Sequence, residues 1–250
     1  MTAPRTGRRE ALTRLRSAQK SNRGAAGYSR WVNRPFGRQI AAVAYPVGLS
    51  PNQISTISAL FTAAGIAGIA VLHPTWWTSL VVTGLLLIGY ACDSADGQVA
   101  RLRGGGSAAG EWLDHVLDAV KVSAIHLAVG IAWFRFYGLH NHAGLLIPLA
   151  FAVVAATFFF AITLSDMLRR IHNLKAGGAG VATASVDPTE AAPVLRSIIV
   201  LPNDYGVLCL SFVLLATHPA FITVYTVLLV ANVLFLLAGC VRWFREMSQY

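Results

Sequence analysis

The chain is predicted to be an all-α integral membrane protein, with six transmembrane helices preceded by a basic interfacial or juxtamembrane helix. Two observations carry this. Of its 250 residues, 55% are hydrophobic and only 12% charged, and the apolar residues fall in runs too long and too bare of charge for a soluble core. The basic residues, in turn, are placed on one side of those runs.

The first 38 residues carry ten Lys or Arg against the single Glu10, with Tyr28, Trp31, Val32 and Phe36 interleaved among the later ones. Basic residues mixed with aromatic ones read as an arm lying on anionic lipid. Residues 1–47 are therefore taken as a basic cytoplasmic arm and juxtamembrane amphipathic segment, and 48–250 as the transmembrane domain. Arg8-Arg9 resembles the start of a twin-arginine signal, but no apolar stretch follows over 10–23, so no cleaved signal is expected.

No Lys, Arg, Asp or Glu occurs from Gln39 to Cys92. A break at His73-Pro74-Thr75 divides that stretch into spans at 54–72 and 76–92. The third span is expected at 110–134 and the fourth at 143–165. A fifth, at 197–216, contains Pro202-Asn203-Asp204, and the sixth follows Thr217-His218-Pro219 and runs to about residue 239. The Gly-, Ala- and Thr-rich stretch 174–194 reads as a flexible connection. With the amino terminus inside, the outer loops of this six-span arrangement carry only Arg135 of the 20 Lys and Arg. Both termini and the loop after the second span then face the cytoplasm.

At that cytoplasmic end sit Asp93, Asp96, Asp114 and Asp118. A charge at bilayer depth costs roughly 2.5–3.5 kcal/mol on insertion scales, so four like charges at the mouth of apolar spans call for a bound cation. Asp93 and Asp96 are i, i+3 and Asp114 and Asp118 i, i+4, so each pair shares a helix face. Gly97 and Ala100 extend the first face and Gly110 the second. These small residues allow close helix approach and room for a ligand. Arg101 adds a planar cation suited to phosphate oxygens. Carboxylates, metal and guanidinium together point to a pyrophosphate substrate. Oxygen ligands without nearby thiolate or imidazole favour Mg²⁺ or Mn²⁺, and four aspartates are enough for two ions.

The eight residues Asp93, Asp96, Gly97, Ala100, Arg101, Gly110, Asp114 and Asp118 reproduce every fixed position of D-x2-D-G-x2-A-R-x8-G-x3-D-x3-D. On that signature, and on Pro51-Asn52 opening the first span, the chain resembles the CDP-alcohol phosphotransferase family. The resemblance implies a membrane transferase that moves a substituted phosphate from a CDP-linked donor to an alcohol hydroxyl with release of CMP, in phospholipid or related polar-lipid biosynthesis. It implies that Asp93, Asp96 and Asp114 are chiefly metal ligands, and that Asp118 deprotonates the acceptor and also touches metal. It further implies that Arg101 holds the donor diphosphate, that Gly97, Ala100 and Gly110 shape the nucleotide pocket, that Asn52 lies near the nucleotide, and that the chain is a homodimer. The arm Ser29-Arg30-Trp31-Val32-Asn33-Arg34-Pro35 resembles the branch that takes a soluble CDP-alcohol donor. The segments around Arg169 and Arg196 do not reproduce the basic pattern of phosphatidylinositol-phosphate synthases. The donor is thus either CDP-diacylglycerol or a CDP-linked polar alcohol.

A phosphorylated acceptor needs further cations, and Arg30, Arg34, Arg169, Arg170 and Arg196 all fall at the cytoplasmic interface, where positive-inside anchoring alone also places them. Glu111, three residues before Asp114, can share its face. Asp204 either lines a pocket or caps a helix broken at Pro202. The three cysteines, Cys92, Cys209 and Cys240, have no metal-binding or disulfide spacing. His115 points about 100° away from the Asp114 face, and His140 and His142 lie in an outer loop. A divalent-cation channel or transporter also wants aspartates, but it leaves Gly97, Ala100, Gly110 and Arg101 without a purpose. A scaffold in which the aspartates pair with Arg101 and Lys121 leaves charge unpaired. Nucleic-acid binding is not needed to explain the basic arm.

Overall fold

A computed structural model describes residues 7–17, 26–139, 141–175 and 194–250. All of its regular structure among these residues is helical. Helix α1 (Arg8–Ser17) is followed by a π-helical turn, Ser29–Asn33, that continues into α2 (Arg34–Val47). The long helices are α3 (Pro51–Val71), α4 (Trp76–Leu102), α5 (Ala108–Phe136), α6 (Leu146–Lys175) and α9 (His218–Met247). Two short helices, α7 (Val194–Ile199) and α8 (Tyr205–Ser211), lie between α6 and α9.

The starts of the long helices follow from their sequences. Ser50 accepts from Gln53 N at 3.2 Å and Gln53 Oε1 accepts from Ser50 N at 2.8 Å, a reciprocal capping box with Pro51 in the first turn of α3. Thr75 and Thr78 form the same box at α4. Ser107 caps α5 by accepting from Gly110 N at 3.0 Å. Helix α4 continues ten residues beyond the expected end of the second span, so the first half of the aspartate motif is helical. It stops in a Schellman turn, with Gly105 N donating to Ala100 O at 3.0 Å and Gly104 N to Arg101 O at 3.2 Å. The turn needs φ of +93° at Gly104 and +136° at Gly105, which only glycine adopts readily.

Among the described residues, five helices are long and apolar enough to cross a membrane: α3, α4, α5, α9 and the continuous stretch His142–Lys175 that contains α6. The expected fifth span, 197–216, is not one helix. Proline 202 has no N–H to donate, and a 3₁₀ turn at Leu201–Asn203 separates α7 from α8. Asp204 restarts the helix by accepting from Gly206 N at 3.0 Å. The apolar helical piece that results, Tyr205–Leu214, falls short of the roughly 20 residues a helical crossing needs. The expected connection over 174–194 lies almost wholly outside the described residues, as does His140.

Packing of α3 on α4 depends on small residues. A Cβ on Gly89 would meet Thr62 Oγ1 at 2.3 Å, and one on Gly65 would meet Leu86 Cδ2 at 2.8 Å. Ser58 Oγ donates to Gly89 O at 2.8 Å across the same seam. Gly65 and Gly68 therefore face α4 of their own chain. Helix α2 lies along α4, burying Ala41, Ala42 and Ala44 with Ile54, Ala95 and Val99, while Phe36, Val43 and Val47 stay exposed along its other edge. That exposed apolar edge on a basic helix suits the bilayer interface. At the opposite end of the bundle, Trp133, Phe212, Phe221 and Tyr225 form the aromatic centre of the main core.

Candidate active site

The ends of α4 and α5 bring the two halves of the motif face to face. Carboxylate oxygens of Asp93, Asp114 and Asp118 all lie within 4.8 Å of one another. Asp96 points elsewhere: it is only 7% exposed and accepts a hydrogen bond of 2.5 Å from Ser55 Oγ on α3. The structure thus gathers three of the four expected metal ligands and anchors the fourth to the neighbouring helix.

Lys121, one turn beyond Asp118, reaches back into this cluster. Its Nζ lies 2.5 Å from Asp118 Oδ1 and 3.3 Å from Asp93 Oδ1, and 5.1 Å from the centre of the Tyr205 ring. An ammonium in this position stands in for a cation among the carboxylates. Oxygen ligands gathered around a stand-in cation, with no thiolate or imidazole ligand in the cluster, fit Mg²⁺ or Mn²⁺. His115 is turned toward Glu111, 3.9 Å away, and Cys92 is buried among the residues under α2.

The small residues of the motif differ in what they meet. A Cβ on Gly110 would come within 3.1 Å of Asn52 Oδ1 and 3.2 Å of Ser107 Oγ, so glycine lets the start of α5 approach Asn52 on α3. A Cβ on Gly97 would meet nothing closer than Arg101 Nη1 at 3.6 Å. Packing against the described residues therefore does not require glycine at 97. The Arg101 Nε is buried without a partner among the described residues. Arg34 is within electrostatic reach of Arg101. Burial lowers the Arg34 pKa from its usual value, Tyr90 opposes this, and the like charge of Arg30 adds to it. The arm is fixed here by Asn33 Nδ2, which donates to Tyr90 O at 3.1 Å, by Gln98 Nε2, which donates to Arg34 O at 3.2 Å, and by Ser29 N, which donates to Asp204 Oδ2 at 2.8 Å.

The remaining arginines expected near the acceptor are dispersed. Arg30 Nη1 donates to Ser197 Oγ at 3.3 Å and its guanidinium lies over Trp31. Arg169 is bidentate to Glu246 on α9 and also pairs with Asp166. Arg170 Nη1 is 2.5 Å from Glu111 Oε1, which ties Glu111 to α6 rather than to the aspartate cluster. Arg196 is exposed on α7. Asp204 both caps α8 and lines a cavity of about 390 Å³ beside Asp118, between α5, α6, α8 and the turn that precedes α8. A smaller cleft of about 140 Å³, between α3 and α5, has Asp93, Asp114 and Lys121 at its polar end.

Two site residues were less legible than the motif. Lys121 figured in the sequence only as a partner for the aspartates in a scaffold. Ser55 belongs to a polar stripe, Ser55, Ser58 and Thr62, on an otherwise apolar span, and that stripe was a readable sign of a functional face.

Residues 49–245 match the family model described as CDP-alcohol phosphatidyltransferase. The phosphatidylinositol phosphate synthase of Mycolicibacterium smegmatis is 34% identical over 109 residues, 42% of this chain and 45% of that protein. The Corynebacterium glutamicum enzyme of the same name is 34% identical over 103 residues, 39% of this chain and 42% of its own length. The matched region thus spans less than half of each of these relatives. Among solved structures, phosphatidylinositol phosphate synthase from Mycobacterium tuberculosis in complex with manganese and citrate superposes with a TM-score of 0.52 at 22% identity, covering 85% of this chain and 89% of that one. The same enzyme with CDP-DAG bound gives 0.50 at 24% identity, covering 86% and 92%. At such identity these two structures establish a shared fold. The signature assembled on α4 and α5 lies inside a family match that takes in most of the sequence, and the chain belongs to the CDP-alcohol phosphatidyltransferase family.

Proposed function

We propose that the chain transfers a substituted phosphate from a CDP-linked donor to the hydroxyl of an alcohol and releases CMP, serving phospholipid or related polar-lipid synthesis. The observation that carries this is the convergence of Asp93, Asp114 and Asp118 within 4.8 Å, beside an open Gly97 and the unpartnered Arg101 Nε. The names of the relatives, and the CDP-DAG bound to the M. tuberculosis enzyme, agree with it.

In this reading Asp93, Asp114 and Asp118 hold Mg²⁺ or Mn²⁺, with Asp96 close behind them on α4. Bound there, the metal supplies neutralisation of the diphosphate oxygens and of the charge that develops on the departing CMP. Arg101 binds the donor diphosphate, with Arg34 adding positive potential behind it. Gly97, Ala100 and Gly110 leave room for the nucleotide, and Asn52 meets it from α3. The acceptor oxygen forms a bond to the phosphorus that carries the second substituent, the bond from that phosphorus to CMP breaks, and CMP leaves with the electron pair. The hydroxyl proton passes to the Asp118 carboxylate.

In this reading both termini and the aspartates face the cytoplasm, which the basic arm and the C-terminal residues Arg242 and Arg245 support. In this reading the broken segment 194–217 completes a sixth crossing, with α8 packed against α4 and α9. The chain works as a homodimer in anionic membrane. A cation pathway is disfavoured by the ammonium of Lys121 lodged among the carboxylates.

The test is CMP release by purified protein with Mg²⁺ or Mn²⁺, across CDP-diacylglycerol and soluble CDP-alcohols and a panel of acceptors, with Asp114→Asn as control. Metal-dependent CMP that disappears in the variant supports the reading. Absence of CMP with every pair, from protein that conducts or takes up divalent ions, refutes it.

A further inference from the structure

The cation already lodged among the aspartates belongs to the chain. Lys121 stands three residues after Asp118 on α5, with 12% of its side chain exposed, and its Nζ lies 2.5 Å from Asp118 Oδ1 and 3.3 Å from Asp93 Oδ1. An ammonium carries three donors and no acceptor, so it bridges the carboxylates of α4 and α5 much as a metal ion would. Where two ions act together they lie about 3.5–4 Å apart and must share carboxylates between them. Here the bridging place between Asp93 and Asp118 is taken by Nζ.

The supply of ligands and of charge agrees. Among the described residues, Asp93, Asp114 and Asp118 are the carboxylates whose oxygens gather within 4.8 Å, while Asp96 is committed to Ser55 Oγ at 2.5 Å. Those three carboxylates against one ammonium leave two negative charges, which a single divalent ion cancels. Asp96 has the guanidinium of Arg101 within electrostatic reach. A second divalent ion would leave the donor-free cluster with two positive charges in excess at the mouth of apolar spans, where uncompensated charge is costly. Expelling Lys121 to make room is costly too. Leu117 and Ile125 stand one turn to either side of it on α5, and the α3–α5 cleft beyond the carboxylates offers the uncharged hydroxyls of Ser58 and Thr62. The ammonium would be buried there without its counter-ions.

We propose that Lys121 is the second cation of this centre: it stays between Asp93 and Asp118 when metal is bound, and the chain holds one Mg²⁺ or Mn²⁺ where four aspartates suggest two. The inference rests on the metal site of the transfer reading above and deepens it. The side chain thereby supplies a fixed positive charge that no chelator removes, and the metal-free protein keeps its carboxylates gathered around it.

The experiment counts Mn²⁺ bound to the full chain in detergent, by equilibrium dialysis with metal analysis, and records the electron paramagnetic resonance spectrum of the loaded protein. Asp114→Asn defines the background from adventitious ions. Above that background the parent is expected to hold one Mn²⁺ per chain with a mononuclear spectrum. Lys121→Met is expected to hold two, with the broadening that spin coupling between neighbouring ions produces. Lys121→Gln serves if the methionine variant does not fold, both being purified with Mn²⁺ present. Lys121→Arg keeps the charge and is expected to stay at one. Two ions per chain in the parent, or one in the neutral variants, overturns the proposal, and no Mn²⁺ above background overturns the metal site with it. Parallel CMP assays separate the two readings. CMP release by a parent that holds two ions retains the transfer reading and overturns this one. No CMP with any acceptor, from a parent that holds one ion and a neutral variant that holds two, overturns the transfer reading alone.

Discussion

Replacing Lys121 by Met keeps most of the side chain's apolar volume and removes only its charge. The ammonium is 2.5 Å from Asp118 and 3.3 Å from Asp93, with 12% of its side chain exposed and 25% of each aspartate's. Removing one partner of a buried ion pair costs about 3–5 kcal/mol, because the remaining charge is left uncompensated. Partial exposure of both carboxylates places the expected loss near the lower figure, about 3 kcal/mol. At roughly 2–4 °C per kcal/mol for a domain of this size, the metal-free variant should melt about 6–12 °C below the parent. Divalent metal supplies the missing positive charge, so Mn²⁺ should restore most of the difference and should raise the melting temperature of the variant more than that of the parent. The assay is thermal unfolding of purified protein in detergent, with chelator and then with a Mn²⁺ titration. Equal melting temperatures for parent and variant in chelator, with equal response to Mn²⁺, would show that Lys121 is not the counter-ion of the cluster.

Asp118→Asn should lower CMP release by about 10²–10⁴-fold, the usual worth of a general base, with donor binding largely kept; near-parental turnover would remove Asp118 from the base role. Ser55→Ala takes the hydroxyl away from a carboxylate that is only 7% exposed, and a loss of about 1.5–3 kcal/mol in unfolding is expected for a hydrogen bond to a charged group; an unchanged melting temperature would mean that the bond contributes nothing net. Gly110→Val places its first added carbon 3.1 Å from Asn52 Oδ1 and should raise the donor KM more than it lowers kcat; the reverse split would dissociate the Asn52 contact from nucleotide binding. Glu246→Gln weakens the α6–α9 pairing through Arg169, for which a loss of about 1 kcal/mol is expected in a partly exposed site. Its CMP release should stay near the parental rate, and a collapse would place Arg169 in the chemistry.

Much of the molecule was legible from residue order because a bilayer imposes few and severe rules. Backbone groups in hydrocarbon must be satisfied within the helix, so long apolar runs marked α3, α4, α5, α6 and α9 directly, and the breaks at Pro51 and at His73-Pro74-Thr75 marked the starts of α3 and α4. The aspartate motif was legible because helical spacing alone puts Asp93 with Asp96 and Asp114 with Asp118. The fifth span was expected to be interrupted at Pro202-Asn203-Asp204, but hydropathy does not register a missing N–H, and how Pro202 and the cap at Asp204 divide the segment into short pieces was visible only in the fold.

The sequence by itself determined that the chain is helical, membrane-embedded and rich in carboxylates at one end of its spans, since these follow from local periodicity, length and side-chain chemistry. Only the tertiary structure decided which carboxylates meet. The crossing of α4 and α5 brings Asp93, Asp114, Asp118 and Lys121 together, while the closeness of α3, permitted by Gly89, draws Asp96 to Ser55. It also decided that Arg169 and Arg170 are paired, and that a cavity opens beside Asp118. The physical reason is range: helical periodicity fixes neighbours within a turn or two, whereas a contact across helices depends on crossing geometry that is set by small residues far away in the chain.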